Sequence, residues 1–273
     1  MGRELARLLS AEGCNLALCD VSEQRLSETG ELCLTGAPPG TRITSHHCDV
    51  SDERQVVTFR DAVVENHHAD HVNLVVNNAG IGGGGSFLVD PREEWDKTFG
   101  VCWFGVYYCT RAFLPLLVAS DAGHLVNVSS VNGFWASWGP SQPFTAYSAA
   151  KFAVKGFTEA LIVDLRIHAP HVDVSVVMPG HVATAITLNT AEILGKQFDE
   201  ATTERDGSFV STARTSAAQA AAIILQGVRE RRWRILVGDD AQALDQQIRQ
   251  TPEEAYEPSF LAQLQDRGFF AGI

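Results

Sequence analysis

The chain has 273 residues, of which 45% are hydrophobic and 20% are charged, a composition that is ordinary for a globular protein. Its 21 basic and 33 acidic residues give a formal net charge of −12, which argues against nucleic acid and against anionic membrane surfaces as partners. The length suits one large α/β domain, so we expect a single domain over residues 1–273.

The six cysteines are spread along the chain without a CxxC pair. This usage is typical of a reducing compartment, where most cysteines are small buried side chains. No run of 18 consecutive apolar residues and no signal peptide is recognised. We therefore expect a cytoplasmic protein with no membrane partner.

Short segments rich in β-branched residues alternate with longer segments of helical periodicity. The predicted strands cover residues 14–20, 42–48, 72–77, 123–129, 171–178 and 234–237. The predicted helices cover residues 2–12, 22–34, 51–66, 93–119, 144–168 and 212–230. This alternation predicts an α/β fold, a doubly wound parallel sheet in three α/β/α layers. The strands at 74–77 and 174–178 are apolar on both faces, as a buried parallel sheet requires.

Two segments lie outside this alternation. Residues 185–210 are the least regular part of the chain, and they follow the carboxyl end of a predicted strand. This position predicts a substrate loop or lid. Residues 239–273 are predicted to form a helical tail that ends near Phe269 and Phe270.

Tyr147 and Lys151 stand four residues apart on one predicted helix, so the phenol and the ammonium share a face. A phenol with a pKa of about 10 is a poor base at neutral pH, and a nearby cation lowers that pKa. Such a tyrosine can exchange a proton with an alcohol or carbonyl oxygen. Because YxxxK occurs often by chance, an exposed helix pair is the alternative. The context favours chemistry, since Ser129 and Ser130 end the preceding strand at the same edge of the sheet.

Four motifs occur in chain order after successive predicted strands or at a helix start. They are Asn77-Asn78-Ala79-Gly80, Ser129-Ser130, Tyr147-Ser-Ala-Ala-Lys151 and Pro179-Gly180-His181-Val182-Ala183-Thr184. In this order they resemble the short-chain dehydrogenase/reductase family, and the resemblance covers about residues 1–240. It implies a Rossmann-like fold that binds NAD(P) and acts on CH–OH groups.

The resemblance implies the catalytic roles of three side chains. Tyr147 is the general acid/base, and Ser130 hydrogen-bonds the substrate oxygen. Lys151 binds the nicotinamide ribose hydroxyls and lowers the pKa of Tyr147. We prefer Ser130 to Ser129 because Ser130 directly precedes a Val-Asn-Gly turn, as the family's serine does.

The loop between the serine and the tyrosine is a few residues longer than the family commonly shows, since 17 positions separate Ser130 from Tyr147. The extra length carries Trp135 and Trp138. These two side chains are predicted substrate contacts that form an apolar wall for a bulky substrate. The alternative, held equally, is that they only pack the loop down.

Asp20 indicates which cofactor is bound. It ends a predicted strand 18 residues after Gly2, where a carboxylate hydrogen-bonds an adenosine ribose 2′-hydroxyl and repels a 2′-phosphate. We therefore predict NAD rather than NADP, with a turn or cap residue as the alternative for Asp20. The other cofactor contacts that the resemblance implies are Gly2, Asp49, Val50, Asn77, Ala79, Gly80, Tyr147, Lys151, Pro179, Gly180, Val182 and Thr184.

Cys102 is the first departure from the family pattern. It occupies the position of an Asn whose backbone carbonyl helps to hold a water that links the lysine to solvent. Cys102 keeps the carbonyl and lacks the amide. We therefore expect a weakened or rewired proton relay rather than an inert site.

The second departure lies at the start of the chain. The family opens with a strand and a glycine-rich turn whose N–H groups hold the pyrophosphate. Met1-Gly2 resembles only the end of that turn. Because the first strand lies centrally, between the strands predicted at 14–20 and 72–77, we expect either a natural start upstream or a truncated product. The chain as printed should then bind NAD weakly.

Two weaker signals favour ordinary structure. His67 and His71 have a metal-binding spacing, but no third ligand is evident, so we predict a polar helix end and no metal site. Gly82–Gly85 lack the Lys-Ser/Thr that follows a phosphate loop, so we predict a flexible rim of the active site.

The favoured function is therefore an NAD-dependent oxidoreductase of secondary alcohols or ketones, with a bulky hydrophobic small molecule as substrate. The alternative is a truncated or catalytically impaired Rossmann-like protein that acts as a binding or interaction module. By analogy with the family, the two long predicted helices at 93–119 and 144–168 form the faces of a homodimer or homotetramer.

Overall fold

The predicted parallel sheet is present, and it is divided into two parts. A computed structural model describes residues 1–137, 142–196 and 200–270. The strands are β1 (Leu16–Asp20), β2 (Ile43–His47), β3 (Leu74–Asn77), β4 (Gly123–Val128), β5 (Val172–Pro179), β6 (Val182–Ala183), β7 (Thr215–Ser216) and β8 (Arg234–Val237). Strands β3-β4-β5-β8 form one parallel sheet, β1-β2 form a second, and the short β6-β7 pair forms a third.

Eleven α-helices lie in the described parts of the chain. They are α1 (Gly2–Ala11), α2 (Glu23–Gly36), α3 (Glu53–His67), α4 (Arg92–Phe99), α5 (Gly105–Val118), α6 (Thr145–His168), α7 (Ile186–Ile193), α8 (Glu200–Thr212), α9 (Ala217–Arg229), α10 (Asp239–Gln250) and α11 (Pro258–Asp266). Within the described chain, the predicted fold class and the six principal strands are confirmed, with ends that differ by one or two residues.

Helices cover both faces of the four-stranded sheet. On one face, Leu5 of α1 and Ile224 of α9 pack against Val126 of β4. On the other face, Leu117 of α5 and Leu165 of α6 belong to a second buried cluster beneath the same sheet. Coverage of both faces explains why almost every residue of β4 and β5 is buried.

Strand β3 differs from the prediction of full burial. The side chains of Leu74, Val75 and Val76 are only half-buried. One edge of β3 pairs with β4, whereas β1, on the other side, is hydrogen-bonded only to β2 among the described residues. The sheet therefore divides at the place where the sequence predicts that a strand is lacking.

Two predicted segments also need correction. The single helix predicted at 93–119 is interrupted by a π-helical turn at Gly100–Phe104. Residues 185–210, predicted to be the least regular segment, contain α7 and most of α8. The helical tail predicted from residue 239 is confirmed for α10 and α11.

The continuous helical stretch Arg92–Val118 is long and apolar enough to cross a membrane, judged by length and composition alone, with a mean hydropathy of 1.4 over its most apolar window. The lack of an 18-residue apolar run in the sequence does not exclude such a helix. Half of that window is buried inside the protein, where α5 packs on β3 and β4.

Candidate active site

The site lies at the carboxyl ends of β3, β4 and β5, where open α/β sheets bind their ligands. Ser130 follows β4, and Tyr147 lies in the first turn of α6. The Ser130 side chain lies close enough to the Tyr147 phenol to lower its pKa. The structure thus joins two predicted catalytic groups that stand 17 residues apart in the sequence.

Lys151 lies one helical turn beyond Tyr147, with its side chain enclosed by the protein. The Lys151 Nζ donates a hydrogen bond to the Val128 carbonyl, at 2.9 Å, and lies 5.5 Å from the centroid of the Tyr147 ring. The ammonium is therefore held between the end of β4 and the phenol.

The pKa of Tyr147 shifts in the direction opposite to the expected one. Burial raises the pKa of Tyr147 well above its ordinary value of 10.0, Cys102 adds to that rise, and the hydrogen bond with Ser130 opposes it. Burial also lowers the pKa of Lys151 and disfavours its ammonium form. The expected lowering of the Tyr147 pKa by Lys151 stays a prediction, because burial of the phenol is the dominant effect on its pKa. The phenol is held protonated at neutral pH.

The serine loop is fixed by hydrogen bonds within itself and to α6. Ser129 does not face the site, since its Oγ donates to the Lys151 carbonyl, at 2.7 Å. The Ser130 Oγ accepts a hydrogen bond from the Asn132 N–H, at 3.1 Å. The Asn132 amide in turn donates to the carbonyls of Trp135 and Ser137, at 3.1 and 2.8 Å. Asn132 is a bracing residue that sequence reasoning missed.

Trp135 is not a substrate contact. Its side chain is only 2% exposed and packs against Phe260 and Phe270 of the C-terminal tail. Its indole Nε1 donates to the Ala255 carbonyl, at 2.7 Å. Of the two alternatives for this loop, the structure favours packing for Trp135, because no face of the ring is left for a ligand. Trp138 lies outside the described residues.

Cys102 lies within the π-helical turn and points into the site. Its thiol donates to the Ile81 carbonyl, at 3.2 Å. The thiol and the Lys151 ammonium both border the space beside Gly80. A Cβ at Gly80 would lie 3.7 Å from the Cys102 Sγ and 3.4 Å from the Lys151 Nζ. The structure therefore places Cys102 beside the lysine and the tyrosine, as the resemblance predicts.

The Asn77-Asn78-Ala79-Gly80 motif has two structural parts. The Asn77 amide is buried and donates to Thr110 and Asn127, at 3.1 and 2.8 Å. The Asn77 side chain is therefore engaged inside the sheet, and a contact with the cofactor through its backbone stays a prediction. Ala79 is exposed and Gly80 is half-buried, so these two remain at the surface of the cleft.

The two predicted adenosine contacts, Asp20 and Asp49, follow neighbouring strands. Asp20 is exposed at the end of β1, with its Oδ1 accepting from the Ser22 N–H at 2.9 Å. Asp49 forms an ion pair with Lys97, at 2.7 Å. Although burial opposes the shift, hydrogen bonds from Lys97 and Ser51 hold the pKa of Asp49 below its ordinary value. The Asp49 carboxylate therefore stays charged at neutral pH.

The side chains of Val50 and Val182 are part of the core. Val50 is buried and lies against Gly105 of α5, where a Cβ would come within 2.7 Å of its Cγ2. Val182 is buried with Leu5 and Val126. Only the backbone of these two positions can contact a cofactor.

Gly2 and Asn78 form a close approach at the amino end of α1. A Cβ at Gly2 would lie 2.7 Å from the Asn78 Nδ2. The free N–H groups of a helix start attract anions such as a pyrophosphate. Asn78, which is recognisable in the sequence only as part of the motif, thus flanks the predicted diphosphate position.

The loop that follows β5, residues 179–184, closes the other side of the cleft. Gly180 donates its N–H to the Val237 carbonyl, at 2.9 Å. The His181 N–H donates to the Asp240 carboxylate, at 2.6 Å. Thr184 is half-buried and follows β6 directly. Asp240 is a further residue that the sequence did not single out, because it lies 59 positions from its partner.

The glycine segment Gly82–Gly85 and helix α7 border the mouth of the site. The Gly82 N–H donates to the Thr190 hydroxyl, at 2.8 Å. A Cβ at Gly83 would meet Leu194 at 2.9 Å. The Phe144 ring lies edge-on to Tyr147, with centroids 6.1 Å apart. The predicted rim is therefore packed beneath the substrate loop rather than free.

His67 and His71, which have a metal-binding spacing in the sequence, make other contacts in the structure. His67 shares a hydrogen bond with Thr44, at 2.8 Å, and His71 with Asp70, at 2.6 Å. Among the residues that the structure describes, no group of three His, Cys, Asp or Glu side chains is arranged to hold a metal ion.

Comparisons with known proteins agree on one family. A family model for short chain dehydrogenase matches residues 1–193. A putative oxidoreductase, SadH from Mycobacterium tuberculosis, is 37% identical over 245 residues, which cover 90% of this chain and 84% of the relative. The 3-ketodihydrosphingosine reductase of Bacteroides thetaiotaomicron is 31% identical, with coverage of 71% and 72%.

Solved structures show the same fold. A short-chain dehydrogenase/reductase from Burkholderia phymatum in complex with NAD superposes with a TM-score of 0.81 at 29% identity, covering 94% of this chain and 92% of that one. Levodione reductase superposes with a TM-score of 0.71 at 25% identity, covering 86% and 90%.

Proposed function

The chain belongs to the short-chain dehydrogenase/reductase family of oxidoreductases, and we propose that it transfers a hydride between NAD and a secondary alcohol or ketone. One observation carries the proposal. The Ser130 side chain lies close enough to the Tyr147 phenol to lower its pKa, and the Lys151 Nζ lies 5.5 Å from the centroid of the phenol ring. This arrangement can bind a carbonyl oxygen and transfer one proton to it.

The residues that are present fit a nicotinamide dinucleotide. The amino end of α1, where Gly2 leaves space beside Asn78, would hold the diphosphate. Asp20 would bind the adenosine ribose, and Lys151 the nicotinamide ribose. Gly80 leaves open the space in front of the lysine. When bound, the nicotinamide supplies the hydride for reduction or accepts it in oxidation.

The chain's own residues move the proton. In the reductive direction, Ser130 donates a hydrogen bond to the carbonyl oxygen and polarises the C=O bond. Tyr147, protonated at neutral pH because burial raises its pKa, transfers its proton to that oxygen as the oxygen becomes an alkoxide. General acid catalysis of this kind contributes about 10²–10⁴-fold. Lys151 stands beside the phenol and offsets the negative charge that remains on it.

Preference for NAD over NADP rests on Asp20. Its carboxylate is exposed at the end of β1, and one oxygen is bound only to the nearby Ser22 N–H. The 2′-hydroxyl of NAD can donate to the other oxygen, whereas the 2′-phosphate of NADP would be repelled. The next residue, Val21, supplies no positive charge for such a phosphate.

A bulky apolar substrate fits the surroundings of the phenol. Phe144, Leu194 and Ile193 stand near Tyr147 or pack in the cluster that includes it. One relative is a reductase of 3-ketodihydrosphingosine, which is consistent with an apolar ketone for this chain.

The test is consumption of NADH with 2-octanone, acetophenone and a long-chain 3-oxo ester, followed by the reverse reaction with the corresponding alcohols. We expect turnover with NADH, weaker turnover with NADPH, and a rate that rises with the apolar size of the ketone. Binding of NADH without turnover of any ketone would contradict the proposal and favour a binding module.

We also propose a homo-oligomer. The outer face of α5 and α6 exposes apolar side chains, among them Val163 at 59% and Ile167 at 67% exposure. Such a face is typical of a helix-to-helix interface between copies. Light scattering should show a dimer or tetramer that Ile167→Asp dissociates. The six cysteines are all free, which supports a reducing, cytoplasmic location.

A further inference from the structure

Asp240 is a buried carboxylate for which the catalytic scheme has no role. It stands in the first turn of α10, and the residue is 3% exposed, whereas its neighbour Asp239 is exposed. Its Oδ2 accepts the His181 backbone N–H, at 2.6 Å. Burying a charge is costly unless it is hydrogen-bonded, and a helix start offsets part of that cost. A solvent-exposed acid such as Asp239 could serve the helix start alone, so the burial of Asp240 needs another explanation.

The backbone is shaped to admit this carboxylate. A Cβ at Gly180 would collide with the Asp240 oxygens, so only glycine fits at that position. Gly238, with φ at +102°, turns the chain into α10 in a conformation that other residues rarely adopt. Two glycines on different strand ends therefore allow Asp240 to reach the loop 179–184, which we name the cofactor loop.

Helix α10 is itself a firm support. Arg234 of β8 makes two hydrogen bonds to the carboxylate of Asp245, one of them at 3.0 Å. Leu244 is completely buried in the hydrophobic cluster that also contains Trp135 and Phe260. The hydrogen bond to Asp240 thus anchors the backbone of the cofactor loop to a well-packed helix.

His181 also connects the cofactor loop to helix α8. Its side chain, not its backbone, contacts α8. The ring Nε2 donates to the Phe209 carbonyl, at 2.7 Å, and the His181 and Phe209 rings lie 4.4 Å apart. One residue of the cofactor loop therefore joins the tail through its N–H and the substrate loop through its imidazole.

We propose that Asp240 is a positioning residue that fixes the cofactor loop for the nicotinamide, and that the His181 side chain couples this loop to the substrate helix α8. The proposal rests on the proposed function, since the cofactor loop matters only if it contacts the nicotinamide. Asp240 touches neither cofactor nor substrate; it acts through the His181 backbone.

The first test compares Asp240→Ala, Asp240→Asn and the matched control Asp239→Ala by NADH titration calorimetry and by amide exchange of the cofactor loop. Asp240→Ala leaves a buried donor without an acceptor, so the Kd for NADH should rise about tenfold and exchange of the loop should accelerate. Asp240→Asn keeps one acceptor oxygen and should restore affinity to within about threefold. Asp239→Ala should match the unchanged chain.

The second test separates the two links. His181→Phe keeps the backbone N–H and an aromatic ring but loses the imidazole donor. The KM for the ketone should rise about fivefold, while the Kd for NADH stays within about twofold of the unchanged chain. An equal rise in both constants would overturn the assignment of separate links.

Failure of this inference can be distinguished from failure of the proposed function. If the unchanged chain binds no NADH, the proposed function is wrong. If exchange of the cofactor loop is the same in Asp240→Ala, Asp239→Ala and the unchanged chain, the positioning role is wrong, whether or not NADH binds. A shift in unfolding temperature without a change in the Kd for NADH would also overturn the positioning role.

Discussion

The pair β1-β2 and the four-stranded sheet β3-β4-β5-β8 carry different parts of the proposed site. On the β1-β2 side, Asp20 is exposed and Asp49 is only partly buried. On the four-stranded side, Ser130 and Lys151 are buried and hydrogen-bonded within the protein. In the proposed site, recognition of the adenosine would thus use solvated carboxylates, whereas proton transfer would use groups taken out of water.

The two sides are joined by side chains rather than by a strand ladder. The Lys97 Nζ bridges from α4 to Asp49, and Val50 packs against Gly105 at the start of α5. Backbone hydrogen bonds between β1 and β3 are lacking in the described chain. The adenosine side and the catalytic side are therefore connected by these contacts and by the packing of α1 on α2 and α9 and of α3 on α5.

The largest expected effect concerns the catalytic side. Tyr147→Phe removes the phenol hydroxyl and keeps the ring, so ketone reduction should fall by about 10³-fold. The Kd for NADH should rise no more than about threefold, because Tyr147 is only one of the predicted cofactor contacts and the adenosine contacts lie on the other side. Steady-state assay and titration calorimetry measure the two quantities. Residual turnover above a tenth of the original rate would contradict the role of Tyr147.

Local stability should differ between the two sides by about 10²-fold in amide exchange rate. Amides of β4 and β5 are enclosed by helices and by strands on both edges. Those of β1 pair on one edge only. Exchange measured by mass spectrometry should be fastest in β1-β2 and should slow there when NADH is added. Equal protection of β1 and β4 would remove the basis of the comparison.

The pH dependence tests how deeply the phenol is enclosed. Burial raises the pKa of Tyr147 above its ordinary value of 10.0, so the phenol stays protonated through the neutral range. Reduction needs the protonated phenol and should be flat from about pH 6 to 9. Oxidation needs the phenolate, so its rate should rise about tenfold per pH unit over that range. An oxidation rate that levels off near pH 7 would show a lowered pKa instead.

Whether the sequence predicts a contact depends on how far apart the two contacting residues lie along the chain. Ser130 and Tyr147 are predictable, because parallel strands end at one edge and the motifs mark those ends. The burial of the Asn77 side chain is not predictable from the sequence, because its amide is buried only on account of its hydrogen bonds to Thr110 and Asn127 across the core. The contacts of Trp135 with Ala255 and of His181 with Asp240 span 120 and 59 positions. No local pattern in the sequence encodes them.

Asp20→Ala tests the recognition side alone. Loss of the carboxylate should raise the Kd for NADH about tenfold and lower the Kd for NADPH, because a hydrogen bond to the ribose is lost and repulsion of the 2′-phosphate disappears. The kcat at saturating cofactor should not change. Glu31→Ala, an exposed acid on α2, is the control. A fall in kcat with an unchanged Kd would place Asp20 in the catalytic machinery.

The smallest effect is expected at Cys102, where the catalytic side departs from its family. Cys102 is completely buried, and its thiol donates to the Ile81 carbonyl at 3.2 Å. An Asn amide could make the same donation and restore the family's group beside Lys151, so Cys102→Asn should raise kcat about threefold if a weakened proton relay limits the rate.

Cys102→Ser keeps the size and the donor of the thiol and should leave kcat unchanged, which separates the amide from a general effect of replacing sulfur. A solvent deuterium isotope effect on kcat should shrink in Cys102→Asn, because the proton relay then limits turnover less. If neither kcat nor the isotope effect changes, the relay does not limit turnover, and the thiol is only a packing residue in the π-helical turn.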